Sequence, residues 1–258
     1  MNAVRLKVFI TGASSGIGLA LAEEYVRRGA ALGLVARRAE SLAAFAARFP
    51  DSPISLYCAD VRDADALADA AARFVAEHGP ADVVIANAGI SRGALTGHGD
   101  LQTFRDVMDV NYYGMVATFE PFVAAMTAAR RGTLVGIASV AGVRGLPGSG
   151  AYSASKSAAA KYLEALRVEM RPQGVAVVTI APGYVRSEMT ARNPYPMPFL
   201  MDADAFAAKT ADAIARRVRY ATFPWQMRVA GVLLHVLPRW VYDLVFERAP
   251  RKPRGGHD

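Results

Sequence analysis

Cysteine occurs once in the 258 residues, histidine four times, and no apolar run is both long and unbroken enough to cross a bilayer. Each shortage removes a class of protein. A single thiol, Cys58, excludes an internal disulfide and points to a reducing compartment, most simply the cytoplasm. Lying in the apolar run "ISLYC", it reads as a buried strand residue rather than a reactive group. The N-terminus lacks a signal-peptide pattern, because Arg5 and Lys7 run directly into "VFI" and a glycine-rich turn. No metal site is expected. Charged residues make up only 21% of the chain against 53% hydrophobic, which excludes a disordered polymer and fits a packed globule.

Acidic charge is scarce at one end. The net charge is +7, and residues 216–258 hold 9 basic and 3 acidic side chains, so +6 of it belongs to the last 43 residues. With no stacking platform or recognition helix beside it, this basic end does not read as nucleic-acid binding.

What is present is an alternation. Near-continuously apolar runs, "LKVFIT", "ALGLVA", "ISLYCAD", "DVVIANAG", "GTLVGIAS" and "VAVVTIAP", are separated by alanine-rich stretches with helical character at 16–28, 39–48, 64–78, about 101–129 and about 152–170. Strand alternating with helix predicts an α/β fold with a doubly wound parallel sheet. Gly29 and Gly174 fall where left-handed helix caps are wanted.

Two motifs carry chemistry. "TGASSGIG" follows the first strand and opens the first helix; the missing side chains of Gly12, Gly16 and Gly18 let backbone amides approach a pyrophosphate at the helix's positive end. The same letters contain G-x-S-x-G, a hydrolase elbow with Ser14 as nucleophile, and His78, His98, His235 and His257 do not decide between the two. "YSASK" sets Tyr152 one helical turn before Lys156. A phenol titrates near pKa ~10, so a tyrosine that exchanges protons at neutral pH needs a cation beside it, and Lys156 is placed to be one.

The glycine turn, "NAG" at 87–89, Asn111, Ser139, the Tyr152 and Lys156 pair and "PG" at 182–183 stand in the order and approximate spacing of the short-chain dehydrogenase/reductase family, which the chain resembles over residues 5 to about 223. The resemblance implies a single-domain Rossmann-type sheet of about seven strands and a nicotinamide cofactor. It implies that Tyr152 is the acid in carbonyl reduction, or the base in alcohol oxidation, and that Lys156 lowers its pKa and holds the nicotinamide ribose. Ser139 would hold the substrate oxygen, and Asn111 a water that links the lysine to solvent. The cofactor set it implies is Gly12, Ser14, Ser15, Gly16, Ile17, Gly18, Asp60, Val61, Asn87, Ala88, Gly89, Tyr152, Lys156, Pro182, Gly183 and Val185. Asp60 would meet the adenine or, equally, cap the helix that begins near residue 63. It also implies a homodimer or homotetramer built on the helices bearing Asn111 and Tyr152.

The second strand ends "LVARRAE", with Ala36 where an acidic residue would receive a ribose hydroxyl, followed by Arg37 and Arg38. Two guanidiniums without a carboxylate suit a 2′-phosphate, hence NADP(H). Met189, Tyr195, Met197, Phe199 and Leu200 in the matching lid region, with Val143, Leu146 and Pro147 opposite, suggest an apolar, lipid-like substrate. Three regions are expected: a catalytic domain over 1–224, an amphipathic extension over 225–247 and a loose basic tail over 248–258. Trp225, Trp240 and Tyr242 with nearby arginines place the extension either at an anionic membrane surface or against the protein's own body or a partner subunit. The function expected is NADPH-dependent reduction of an apolar ketone or aldehyde. A non-catalytic NADP(H)-binding sensor or scaffold and a serine hydrolase are the alternatives.

Overall fold

The computed structural model describes residues 5–191, 193 and 196–254. Seven strands form one all-parallel sheet: β1 (Lys7–Thr11), β2 (Ala31–Ala36), β3 (Ile54–Cys58), β4 (Val83–Ala86), β5 (Thr133–Ile137), β6 (Ala176–Pro182) and β7 (Tyr220–Phe223). The spatial order is β3-β2-β1-β4-β5-β6-β7. Strand order therefore reverses between β1 and β4, where Val8 sits opposite Val83 and Ile10 opposite Ile85. The carboxyl ends of these two strands open the crevice in which doubly wound sheets bind ligands.

Helices cover both faces, which is why the strands read as unbroken apolar runs. Helices α1 (Gly16–Arg27) and α2 (Ala39–Ala47) lie on one side. Their Leu21, Tyr25, Leu42 and Phe45 join Phe206 and Ile214, which come from a helix later in the chain, in one core. On the other side are α3 (Ala64–His78), α4 (Leu101–Met108), α5 (Gly114–Ala129) and α6 (Gly150–Met170). Phe74, Phe119 and Leu163 pack there against Phe9, Val84 and Leu134. Strand glycines admit these side chains: a methyl on Gly33 would meet the Phe9 and Phe74 rings, and one on Gly136 would meet Leu163. The chain ends through α7 (Glu188–Ala191), α8 (Ala203–Ala215), α9 (Trp225–Val236) and α10 (Arg239–Phe246).

Two local expectations change. The stretch expected as one helix over 101–129 is α4 and α5 joined by a π-helical turn, Asp109–Tyr113, which carries Asn111. Wide turns of this kind re-aim side chains and cluster at functional sites. Cys58 is exposed, not buried. It is the last residue of β3, the sheet's edge strand, and its thiol donates to the Arg37 carbonyl at 3.3 Å. Gly29 and Gly174 do adopt the left-handed backbone expected of caps, with φ of +73° and +77°.

Candidate active site

At the β1–β4 crevice two turns are tied together. Asn87 Nδ2 donates to the carbonyls of Thr11 and Gly12, both at 3.1 Å, while Thr11 Oγ1 accepts the Asn87 amide at 3.3 Å. A methyl on Gly12 would stand 2.7 Å from Ala88 Cα, and one on Gly18 would strike the Gly12 carbonyl and Asn87 Nδ2. The glycines thus create both the closeness of the two turns and a side-chain-free cradle before α1. Ser15 caps α1 without a side-chain hydrogen bond, and the first turn has no acidic residue. The amide end of the helix is therefore available to an anion, and the site fits the dinucleotide that the sequence implied. Ile17 packs partly buried on the core beneath it.

The side chains expected from the sequence to handle protons come together at the end of β5. Tyr152 is the third residue of α6, and Lys156, one turn on, is buried with its Nζ 5.9 Å from the centre of the Tyr152 ring. Lys156 donates to the Ile137 carbonyl at 2.8 Å, so the end of β5 holds it in place. Burial lowers its pKa to about 8, because desolvation disfavours the ammonium. Burial raises the Tyr152 phenol, and a side-chain hydrogen bond with Ser139 acts in the opposite direction. Ser139 begins a 3-10 turn, Val140–Gly142, where its Oγ accepts the Ala141 amide at 3.1 Å. A methyl on Gly142 would lie 2.8 Å from the Lys156 main chain, so this glycine lets the Ser139 loop press onto α6.

Asn111 is wholly buried. Its Oδ1 accepts the Ile90 amide at 2.8 Å, and its Nδ2 donates to the Ile90 carbonyl and to Ser155 Oγ, both at 2.9 Å. Ser155 in turn donates to the Tyr152 carbonyl at 2.8 Å. The π-turn thereby clamps the loop after β4 to the first turn of α6. Gly89 lies between the Asn111 amide and Lys156: a methyl there would be 3.2 Å from Oδ1 and 3.5 Å from Nζ.

At the far end of the crevice, Asp60 does not cap α3. That role falls to Asp63, which accepts the Ala66 amide at 3.0 Å. Asp60 instead holds Arg62 through both carboxylate oxygens, at 3.1 and 2.7 Å, and this pairing lowers its pKa. Arg37 stands 3.9 Å from the same carboxylate. Arg38 donates to Ser14 Oγ at 3.3 Å, and both arginines are exposed. Val61 is buried against Gly114. Ser14 thus faces an arginine. Among the described residues no histidine hydrogen-bonds it, and His78 pairs instead with Ser55 at 2.8 Å. His257 lies outside the described residues.

On the other rim, the Gly183 amide donates to the Phe223 carbonyl at 2.9 Å, and a methyl on Gly183 would meet Met227 of α9. Buried Val185 bridges to Met201, at the base of the segment expected to be a lid. Met189 and Phe199 are exposed. Tyr195 lies outside the described residues.

Sequence reasoning passed over four residues of this assembly. Thr11 and Ser155 are buried connectors. Ser91 and Lys252 meet near Tyr152, with Lys252 Nζ donating to Ser91 Oγ at 2.6 Å. The expectation of a loose tail does not hold for 251–254, because Arg254 forms a two-pronged pair with Asp100 at 2.8 and 2.7 Å. A lysine among arginines and prolines carries no signal of this in one dimension. Residues 255–258 lie outside the described residues.

Comparison with known proteins finds oxidoreductases of similar sequence and fold. An oxidoreductase of Myxococcus xanthus, itself uncharacterized, is 38% identical over 244 residues, spanning 93% of this chain and 95% of its own. The 11-beta-hydroxysteroid dehydrogenase A of Sesamum indicum is 33% identical, over 95% of this chain and 77% of its length. A solved short chain dehydrogenase/reductase from Burkholderia phymatum in complex with NAD shares the fold, with a TM-score of 0.83, 23% identity and 98% of each chain covered. Residues 6–196 match the short chain dehydrogenase family, and the chain belongs to it as an NAD(P)-dependent oxidoreductase.

Proposed function

We propose that the protein reduces the carbonyl of an apolar ketone or aldehyde with NADPH. The observation that carries this reading is the convergence of Tyr152, Lys156 and Ser139 beside the glycine cradle. A bound nicotinamide would supply the hydride for the carbonyl carbon. Tyr152 gives its phenolic proton to the carbonyl oxygen, so that carbonyl plus hydride plus proton yields the alcohol. Ser139 donates a hydrogen bond to that oxygen as charge develops on it. Lys156 stabilises the resulting phenolate, and its hold on the Ile137 carbonyl sets its position. Gly12, Gly16 and Gly18 would cradle the pyrophosphate, and Asn87, Ala88, Gly89, Pro182, Gly183 and Val185 would close the cleft around it. Exposed Arg37 and Arg38 receive a 2′-phosphate and favour NADP(H).

Titration with NADPH and NADH, followed by a screen of apolar ketones and aldehydes for loss of nicotinamide absorbance, tests the reading. NADPH binds more tightly, and Tyr152→Phe lowers turnover by about 10²- to 10⁴-fold while leaving NADPH binding in place. Preference for NADH would overturn the roles given to Arg37 and Arg38. Turnover undiminished in Tyr152→Phe would overturn the chemistry and favour a nucleotide-binding sensor.

The same reading extends to location. No single described helix is long and apolar enough to cross a membrane, and α9 and α10 meet at a 117° bend. Tyr242 and Met227 dock this pair on the body, through the Gly145 carbonyl and Gly183. Trp225, Val232, Leu233, Val236, Trp240 and Leu244 face outward. An apolar face with basic neighbours suits an anionic membrane surface, and supports a cytoplasmic, membrane-peripheral enzyme. A groove of about 530 Å³ between α3 and α5, lined by Val61, Val116 and Pro121, does not include Tyr152, and a homo-oligomer through the helices bearing Asn111 and Tyr152 belongs to the same proposal.

A further inference from the structure

The last described residues form a strap across the substrate side of the site. Gly93 pairs with Arg254 in a parallel bridge, and a methyl on Gly93 would strike the carbonyls of Lys252 and Pro253. Gly148, with φ of +73°, accepts the strap from the other side: a methyl there would lie 2.9 Å from Arg251 Cβ. The Arg254 guanidinium grips both oxygens of Asp100 and the His98 carbonyl, the last at 2.7 Å. Two glycine seats and a fork-shaped ion pair make a built contact.

This contact delivers one cation to the reaction centre. Lys252 Nζ lies 6.0 Å from the Tyr152 ring centre, close to the 5.9 Å of Lys156. The Tyr152 ring that it faces belongs to an apolar cluster, packed with Ile90 and Phe104 on Ala94, Val107 and Ala151. Two neighbouring guanidiniums have anions, Arg254 with Asp100 and Arg92 with Asp106, while Lys156 is held by the Ile137 carbonyl. For Lys252, the described residues supply the Ser91 hydroxyl, and burial alone lowers its pKa. A neutral hydroxyl accepts one of the three N–H bonds and leaves the charge uncompensated. A partly desolvated ammonium in such a place favours an anion.

We propose that Lys252 is a substrate-binding residue, and that the apolar carbonyl compound carries a carboxylate which this ammonium receives as the strap closes the cleft beside Tyr152. The inference rests on the reductase reading and adds a substrate class to it. One ammonium with two remaining N–H bonds matches a monoanion, whereas a phosphate dianion calls for a larger set of donors.

Calorimetric titration of the full chain with dodecanoate and with dodecanol, with and without saturating NADP, tests it. The wild type prefers the carboxylate at one site per chain. Lys252→Met lowers the carboxylate-to-alcohol preference by about 10- to 100-fold, the worth of a charged hydrogen bond, and Lys252→Arg restores most of it. Asp100→Ala, which frees Arg254, lowers the preference by a smaller factor. An unchanged preference in Lys252→Met, tighter binding of both ligands in it, or no saturable dodecanoate binding by the wild type would each overturn the proposal. A chain that fails to bind NADPH yet keeps the Lys252-dependent preference sinks the reductase reading alone. One that binds NADPH without that preference sinks only the anion site.

Discussion

The two halves of the cleft are held by different means. On the cofactor side, Asn87 and Thr11 fasten their side chains to main-chain groups of the two turns in a half-buried crevice, and neither Gly12 nor Gly18 leaves space for a Cβ. On the substrate side, the lid, α10 and the strap are fastened by side chains near solvent: Arg186 to Asp202, Tyr242 to the Gly145 carbonyl and Arg254 to Asp100. Main-chain contacts fix a shape that any chemistry of the family needs. Side-chain contacts near solvent cost less to exchange, and this is where one chain differs from another in what it accepts.

The largest effect should come from disturbing the first half. Gly18→Val places carbon against the Gly12 carbonyl and Asn87 Nδ2. NADPH binding, followed by nicotinamide fluorescence, is expected to fall below detection; binding within tenfold of wild type would show that the crevice is softer than its contacts imply. Next comes the clamp between the halves. Asn111→Ala leaves the Ile90 amide and carbonyl and the Ser155 hydroxyl without their partner, and should destabilise the fold by ~2–5 kcal/mol in urea melts at one or more buried groups lost. A loss under ~1 kcal/mol would mean that water substitutes for the amide.

The smallest effect concerns Lys156 and carries a sign. Its folded pKa of about 8 lies below the unfolded value of 10.5, so the unfolded chain binds more protons between those pH values. The penalty for burying the ammonium is complete below pH 8 and is relieved as pH rises toward 10.5. Relative to Lys156→Met, the cofactor-free wild type should gain up to ~3 kcal/mol over that window. A flat difference would show that the amine stays charged in its bond to the Ile137 carbonyl.

The cofactor half was the more legible in one dimension, for physical reasons. Strands buried on both faces must be apolar throughout, so β1, β2 and β6 announce themselves, and glycines required by close approach cannot be replaced. Asn111 was noticeable as a poor helix former in a helical stretch, yet the wide turn that it anchors follows from partners 21 and 44 residues away. Cys58 was misjudged because apolar neighbours do not reveal that β3 is an edge strand. Lys252 was invisible: its place beside Tyr152 depends on Gly93, Gly148 and Asp100, none of them near it in the chain.

The pairing of β1 with β4 has a consequence for how the protein comes into being. Val8 and Val83 are neighbours in space but separated by three strands' worth of synthesis, and the cradle needs both the turn after β1 and the turn after β4. Long loops must close before such contacts reward the chain, which makes parallel pairings slow and leaves apolar strands uncovered meanwhile. A nascent chain that has released only its first three strands holds the glycine turn without its lid of Asn87. The proposed cradle is therefore incomplete until the fourth strand has docked, so a dinucleotide bound there would stabilise a sheet already assembled through β4 and would not serve as its template.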